Sequence, residues 1–129
     1  MTMKLLSPEQ YQARSHTLRL PNNVDPAEPD LSGVQAIELH FPKFSDGRAF
    51  SQAFLLRRRL GFTGDLVATG DVLVDQLAQM QRSGFSQAVL RADQPIDLAR
   101  RVLAAYPGLT VGRYQGDARQ PAPHFKAQA

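Results

Sequence analysis

Short apolar runs alternate with segments of helical periodicity over most of this chain, and this alternation constrains the fold more than any other feature. Four runs have the length and composition of buried strands: AIELHF (36–41), DLVAT (65–69), QAVLR (87–91) and LTVGRY (109–114). Between them, residues 50–60, 72–82 and 95–106 repeat apolar side chains at helical spacing. Alternation of this kind, with a period of roughly 23 residues, predicts parallel strands joined by right-handed helical crossovers.

The predicted fold class is α/β, a single domain of alternating βα units with a mainly parallel sheet. Two architectures fit: an open doubly wound sheet, or part of a (βα) barrel closed by further elements or by a second copy. The predicted βαβαβαβ domain covers residues 34–116. Residues 1–33 are predicted to be an irregular arm, in which 14–20 is a candidate edge strand, because PNNVDPAEPD (21–30) is rich in turn formers. Residues 117–129 are predicted to be a flexible tail.

Composition excludes several kinds of site. The 129 residues include no cysteine, which excludes disulfides, thiolate catalysis, and zinc or iron–sulfur sites held by cysteine. The three histidines, His16, His40 and His124, are far apart and form no metal-binding doublet, so no metal site is predicted. There is neither a Walker loop nor a GxGxxG motif. The sequence therefore predicts no particular cofactor.

Charge and hydropathy bear on partners and location. The net charge is +3, and RRR at 57–59 is interpreted as a solvated helix face. Nucleic-acid binding is not predicted, because aromatic residues are not interleaved with the basic ones. No apolar run approaches the ~20 residues that cross a bilayer, and the N-terminus does not resemble a secretory signal. A cytoplasmic protein without nucleic-acid or membrane partners is expected.

Polar residues cluster where the predicted strands end. An aspartate follows each strand: Asp46, Asp71, Asp93 and Asp117. The carboxyl ends of parallel strands share one edge, where ligands bind in such folds. The predicted ligand or partner site consists of Lys43, Ser45, Asp46, Arg48, Ser51, Asp71, Asp75, Gln76 and Arg91.

Each of these aspartates also has a structural interpretation. Aspartate is a preferred helix N-cap, so Asp71 and Asp93 are predicted to cap helices, and Asp46 to form either a cap or an Asx turn with Gly47. Alternatively, Lys43 with Asp46 or Asp71 would be acid–base groups of an enzyme. Four phenylalanines are predicted to lie in the core: Phe50, Phe54, Phe62 and Phe85.

Three motifs together resemble one bacterial family. FPKFSDGR (41–48), LLRRRLG (55–61) and GDVLVDQL (70–77), followed by RSGF (82–85), resemble the DUF934 family of unknown function over about residues 41–114. The family pattern often has a cysteine before the GF and an aromatic residue after it. Here Ser83 and the SQAV at 86–89 stand in those places, so any redox role of that cysteine would be absent from this chain.

The resemblance implies a connection with sulfur metabolism, because the family is commonly labelled a probable oxidoreductase involved in sulfite reduction. Sulfite reduction needs haem, iron–sulfur or flavin centres, for which this chain has no motif. We therefore expect an accessory protein of assimilatory sulfate or sulfite reduction that binds sulfite reductase, another enzyme of that pathway, or a small anion. The alternatives are a small (βα)-type enzyme or oxidoreductase subunit, and an oligomeric scaffold, since exposed sheet edges favour self-association.

Overall fold

The computed structural model describes residues 3–105, which form a mixed α/β structure around one five-stranded sheet. The strands are β1 (Lys4–Leu6), β2 (Thr17–Leu20), β3 (Ala36–Phe41), β4 (Asp65–Gly70) and β5 (Gln87–Val89), in the order β1-β5-β4-β3-β2. Every neighbouring pair is parallel, which confirms the predicted parallel sheet. The strand predicted at 109–114 lies outside the described residues, as do Asp117 and the predicted tail.

Three α-helices follow the last three strands: α1 (Arg48–Arg58), α2 (Leu77–Ser83) and α3 (Ile96–Ala105). The helix predicted at 72–82 begins later, because Leu73 is extended and the Val72 carbonyl accepts the Arg91 N–H. A short 3₁₀ helix, Val74–Gln76, precedes α2. Helix α2 is C-capped by Gly84, whose positive φ of 113° turns its N–H back to the last carbonyls of the helix.

The three helices lie on one face of the sheet. Strands β3, β4 and β5 are neighbours in chain order, so right-handed crossovers place α1 and α2 on the same side, and α3 packs beside α2. On that side Ile37, Leu39 and Phe41 of β3 pack with Leu56 of α1 and Met80 of α2 in one buried cluster. The Phe41 ring meets the Phe50 ring edge-on at 5.0 Å. Apolar burial between the sheet and this helical layer is therefore what holds the strand ends in place.

The N-terminal part contributes more to the sheet than the sequence suggested. The expectation that residues 1–33 are irregular is wrong for Lys4–Leu6, which form β1 beside β5. The candidate edge strand at 14–20 is confirmed for Thr17–Leu20, which form β2 beside β3. The motif KLL is too short to give a recognisable strand pattern, and its strand forms because β5 offers a partner.

Strands β1 and β2 lie at opposite edges of the sheet, so residues 7–16, the crossing segment, must pass over a face. Successive strand side chains point to opposite faces, and Tyr11 of this segment contacts Glu38, which points away from the helices. Within residues 3–105 the sheet is thus open, with helices on one face and the crossing segment on the other. A doubly wound sheet would carry helices on both faces, so this arrangement is closer to a segment of a (βα) barrel.

One of the three consecutive arginines is structural rather than part of a solvated face. The Arg57 guanidinium donates to the carbonyl oxygens of Phe62 and Gly64 at 2.8 and 2.7 Å, and to that of Gly84 at 2.8 Å. These bonds tie the end of α1 to the turn before β4 and to the end of α2. Arg59 is exposed, which agrees with the prediction that the arginines at 57–59 form a solvated helix face.

Candidate functional site

The strand-end surface is the group of residues that follows the carboxyl ends of β2 to β5: Asn22, residues 43–48, residues 71–76 and residues 91–94. Parallel pairing brings these four chain segments to one edge. The Phe41 carbonyl accepts the Asp71 N–H at 2.8 Å, and the Val72 carbonyl accepts the Arg91 N–H at 3.0 Å. Backbone hydrogen bonds therefore fix the loops after β3, β4 and β5 relative to one another.

Asp71 links two loops and is not the helix cap that was predicted. The 3₁₀ helix is N-capped by Leu73 and α2 by Gln76, and neither has a side-chain cap. One Asp71 carboxylate oxygen accepts a hydrogen bond from Arg91 Nη1 at 2.6 Å, and the other accepts the Phe44 N–H at 2.7 Å. These two hydrogen bonds, with that from Arg91 the larger effect, hold the pKa of Asp71 below its usual value.

Asp93 also pairs with Arg91. Nε and Nη2 of Arg91 donate to the two carboxylate oxygens of Asp93 at 2.6 and 2.7 Å, in the bidentate geometry that arginine favours. Hydrogen bonding to Arg91 lowers the pKa of Asp93 from 3.8 to about 2. Arg91 therefore sits between two carboxylates, which raise the pKa of its guanidinium.

Asp46 organises the loop after β3. Its carboxylate accepts the Arg48 N–H at 3.1 Å, which closes the predicted Asx-type turn, and it also accepts Nε and Nη2 of Arg48 at 3.1 and 2.8 Å. Asn22, in the loop after β2, adds a hydrogen bond of 2.8 Å. Hydrogen bonds from Arg48 hold the pKa of Asp46 well below its usual range. Gly47, without a side-chain cap, is the N-cap of α1.

Phe44 lies between these two charge clusters and is held by its backbone. Its N–H donates to Asp71, and its carbonyl accepts a short hydrogen bond from the Gln76 amide. Its side chain is nevertheless 52% exposed. Gln76 Oε1 is buried without a hydrogen-bond partner in the described part of the chain. A large aromatic side chain is thus presented to solvent on a backbone whose polar groups are both fixed.

The remaining predicted site residues lie on the strand-end surface, or next to it in the case of Ser51, and have no bonds to these clusters. The side chains of Lys43, Ser45, Ser51 and Asp75 are exposed, and they make no hydrogen bond or ion pair with residues 3–105. Lys43 and Ser45 flank Phe44 in the loop, Ser51 lies in the first turn of α1, and Asp75 lies in the 3₁₀ helix. They are available for contacts with another molecule.

The sequence predictions missed Phe44 and Asn22. The signal for Phe44 was an aromatic residue within an otherwise polar loop, FPKFSDGR, and aromatic residues mark interaction sites when they stay exposed. Asn22 carried no signal, because its role depends on β2 pairing with β3. The core prediction for Phe54 is also wrong: its ring is 37% exposed and lies under the Arg58 guanidinium at 5.1 Å.

The arrangement is suited to binding more than to proton transfer. Asp46 and Asp71 have lowered pKa values, so at neutral pH they are ionised and are poor proton donors. Their charges are already offset by Arg48 and Arg91. Within residues 3–105, no group of three or more His, Asp or Glu side chains is placed to hold a metal ion. No helix of this part of the chain is both long and apolar enough to span a membrane.

The amino-acid sequence matches the model of one protein family over residues 17–125. The chain belongs to that family, described as a bacterial protein of unknown function (DUF934). The match extends the resemblance, which covered about residues 41–114, back to β2 and onward to residue 125. Comparison with curated proteins found no match, and comparison with solved structures found none.

Proposed function

We propose that this chain is an accessory protein of assimilatory sulfate or sulfite reduction that docks onto a partner enzyme through the strand-end surface, with Phe44 as the central contact. The observation that carries the proposal is the fixed backbone of Phe44 beneath an exposed ring. Interfaces concentrate their binding energy in a few aromatic or arginine side chains. A loop whose backbone is already held in position loses less conformational entropy on binding than a mobile loop would.

The charged groups around Phe44 support docking rather than capture of an inorganic anion at this edge. Arg48 and Arg91 are each paired with carboxylates of their own chain, so an anion would have to displace those carboxylates. Polar side chains around an aromatic contact form the rim of a typical protein interface. Lys43 makes no ion pair within residues 3–105, so its ammonium group can pair with a carboxylate of the partner enzyme.

The pathway part of the proposal rests on the label commonly given to the family. Sulfite reductase, or a neighbouring enzyme of sulfur assimilation, is the partner to test first. The enzyme and scaffold alternatives remain predictions. The lowered pKa values of Asp46 and Asp71 give the acid–base alternative no support.

Direct binding tests the proposal. Purified protein is titrated onto immobilised sulfite reductase from the same organism, using wild type, Phe44→Ser and Phe54→Ser. Loss of a central aromatic contact costs about 2 kcal/mol or more, so Phe44→Ser should weaken binding about thirtyfold. Phe54 is a matched control, because it is an exposed phenylalanine on α1 outside the strand-end surface.

The two parts of the proposal can fail separately. If wild type binds no enzyme of sulfur assimilation, the pathway assignment is wrong. If a partner binds equally well to wild type and to Phe44→Ser, the docking surface is wrong whatever the partner is.

A further inference from the structure

A second candidate site lies on the sheet face opposite the helices, away from the strand-end surface. The crossing segment, residues 7–16, passes over this face and leaves a cavity of about 260 Å³ beneath it. Ala36, Val67 and Gln87 contribute to the sheet side of the cavity, and Gln10, Tyr11 and Arg14 contribute to the crossing segment. Neither the sequence predictions nor the proposed docking surface uses this cavity.

The crossing segment is anchored by polar contacts that define the cavity. Tyr11 donates to the Glu38 carboxylate at 2.6 Å, and Arg19 pairs with the same carboxylate at 3.1 Å. Arg14 Nη2 donates to the Gln35 carbonyl at 3.1 Å and to Asp65 at 2.8 Å. Glu38 is only 7% exposed. Burying a carboxylate costs desolvation that an apolar contact would avoid, so these anchors favour a defined geometry over maximal stability.

The cavity lining has an excess of positive charge. Asp65 is the carboxylate among the lining residues, and Arg14 already pairs with it. Arg14 makes these bonds through Nη2, and within residues 3–105 its Nε and Nη1 donate to nothing. Lys4 also lines the cavity and makes no ion pair with the described residues. Two cationic side chains and one carboxylate therefore line the cavity, a net positive charge that favours an anionic ligand.

Size and hydrogen-bonding groups suit an organic anion. The cavity, at about 260 Å³, has room for an anion larger than an inorganic oxyanion. Gln10, Gln12 and Gln87 add amide groups to the lining. The Lys4 ammonium and the remaining Arg14 N–H groups are charged donors, which form short, strong hydrogen bonds to carboxylate oxygens. We propose that this cavity binds a small organic carboxylate.

Succinate is the probe, and its uncharged isostere succinamide is the matched ligand control. Each is titrated at millimolar concentration into full-length ¹⁵N-labelled protein while amide chemical shifts are followed. Succinate should shift the side-chain amides of Gln10, Gln12 and Gln87, and succinamide should leave them in place. Lys4→Gln removes one charge-assisted contact and should weaken succinate binding about tenfold or more.

The control variant is Lys43→Gln, which makes the same change in net charge on the strand-end surface. It should leave succinate affinity unchanged. Equal weakening by both variants would show non-specific attraction and would overturn the assignment. Absence of shifts with succinate, or equal shifts with succinamide, would also overturn it. Both variants are at exposed positions, so the wild-type amide spectrum serves as the check that each is folded.

Discussion

The Asp71 carboxylate accepts the Phe44 N–H at 2.7 Å, across 27 residues of sequence, and this bond joins the loop after β3 to the loop after β4. The same carboxylate accepts Arg91 Nη1 at 2.6 Å, which adds the loop after β5. Three consecutive βα units are thus connected at one aspartate. The backbone that carries the exposed ring of Phe44 is held by that connection.

Replacing Asp71 should loosen the loop that carries Phe44. Asp71→Ala removes the acceptor of a charge-assisted hydrogen bond, so hydrogen exchange at the Phe44 N–H should become about tenfold faster or more. The control is Asp75→Ala, because Asp75 is exposed and unpaired within residues 3–105. Equal exchange rates at Phe44 in the two variants would contradict the role of Asp71.

Arg91 should determine the acid titration of Asp93. The pKa of Asp93 is lowered from 3.8 to about 2 in the folded protein, so the ion pair stabilises the fold fully above 3.8. That contribution is lost as the pH falls through about 2. In Arg91→Gln the carboxyl ¹³C titration of Asp93 should return towards its usual midpoint. Arg100→Gln, which removes the exposed pair with Asp97 on α3, should leave it near 2.

Tyr11 should ionise well above the usual tyrosine pKa. Burial, and then its hydrogen bond to Glu38, raise its pKa well above 10, so the neutral phenol stabilises the fold below pH 10. This stabilisation is lost as the pH rises from 10 towards the raised pKa. Ultraviolet absorbance of phenolate should show a component that ionises well above pH 10, and Tyr11→Phe should remove one tyrosine's share of that component. An unchanged high-pH component in Tyr11→Phe would contradict the anchoring of the crossing segment.

Arg57 should not be replaceable by lysine. Its guanidinium donates hydrogen bonds to the carbonyl oxygens of Phe62, Gly64 and Gly84. A single ammonium group cannot reproduce this arrangement of donors. Arg57→Lys should lower the free energy of unfolding by about 1–3 kcal/mol in urea titrations. Arg59→Lys, two residues along the same arginine run and exposed, should change it by less than about 0.5 kcal/mol. Equal effects would mean that Arg57 is also only a surface cation.

The parallel sheet was predictable because its central strands and their helices carry local signals. AIELHF and DLVAT are apolar enough to be buried on both faces. The helical spacing of apolar residues predicted α1 and α3, and residues at that spacing are buried in the structure: Ala53, Leu56, Ala99 and Leu103. Strand β1 carries no such signal, because three residues form a strand only when a neighbour supplies the hydrogen bonds.

The location of the candidate site was predictable from the sequence, but the hydrogen-bond partners within it were not. Parallel topology alone placed Asp46, Asp71 and Arg91 at one edge. Residue preference suggested that Asp71 is a cap, whereas its partners, the Phe44 N–H and Arg91, come from loops distant in sequence. Which acceptor meets which donor is set by the register of β3, β4 and β5 and cannot be read from any one segment.

The most direct test of the docking proposal is site-specific photo-crosslinking in the native cell grown on sulfate. The photoreactive residue p-benzoylphenylalanine is placed at position 44 in one variant and at position 54 in the other, so the two differ only in which exposed phenylalanine is replaced. The proposal predicts an adduct from position 44 that contains an enzyme of sulfur assimilation, and none from position 54. No adduct from position 44, or the same adduct from both positions, would contradict it.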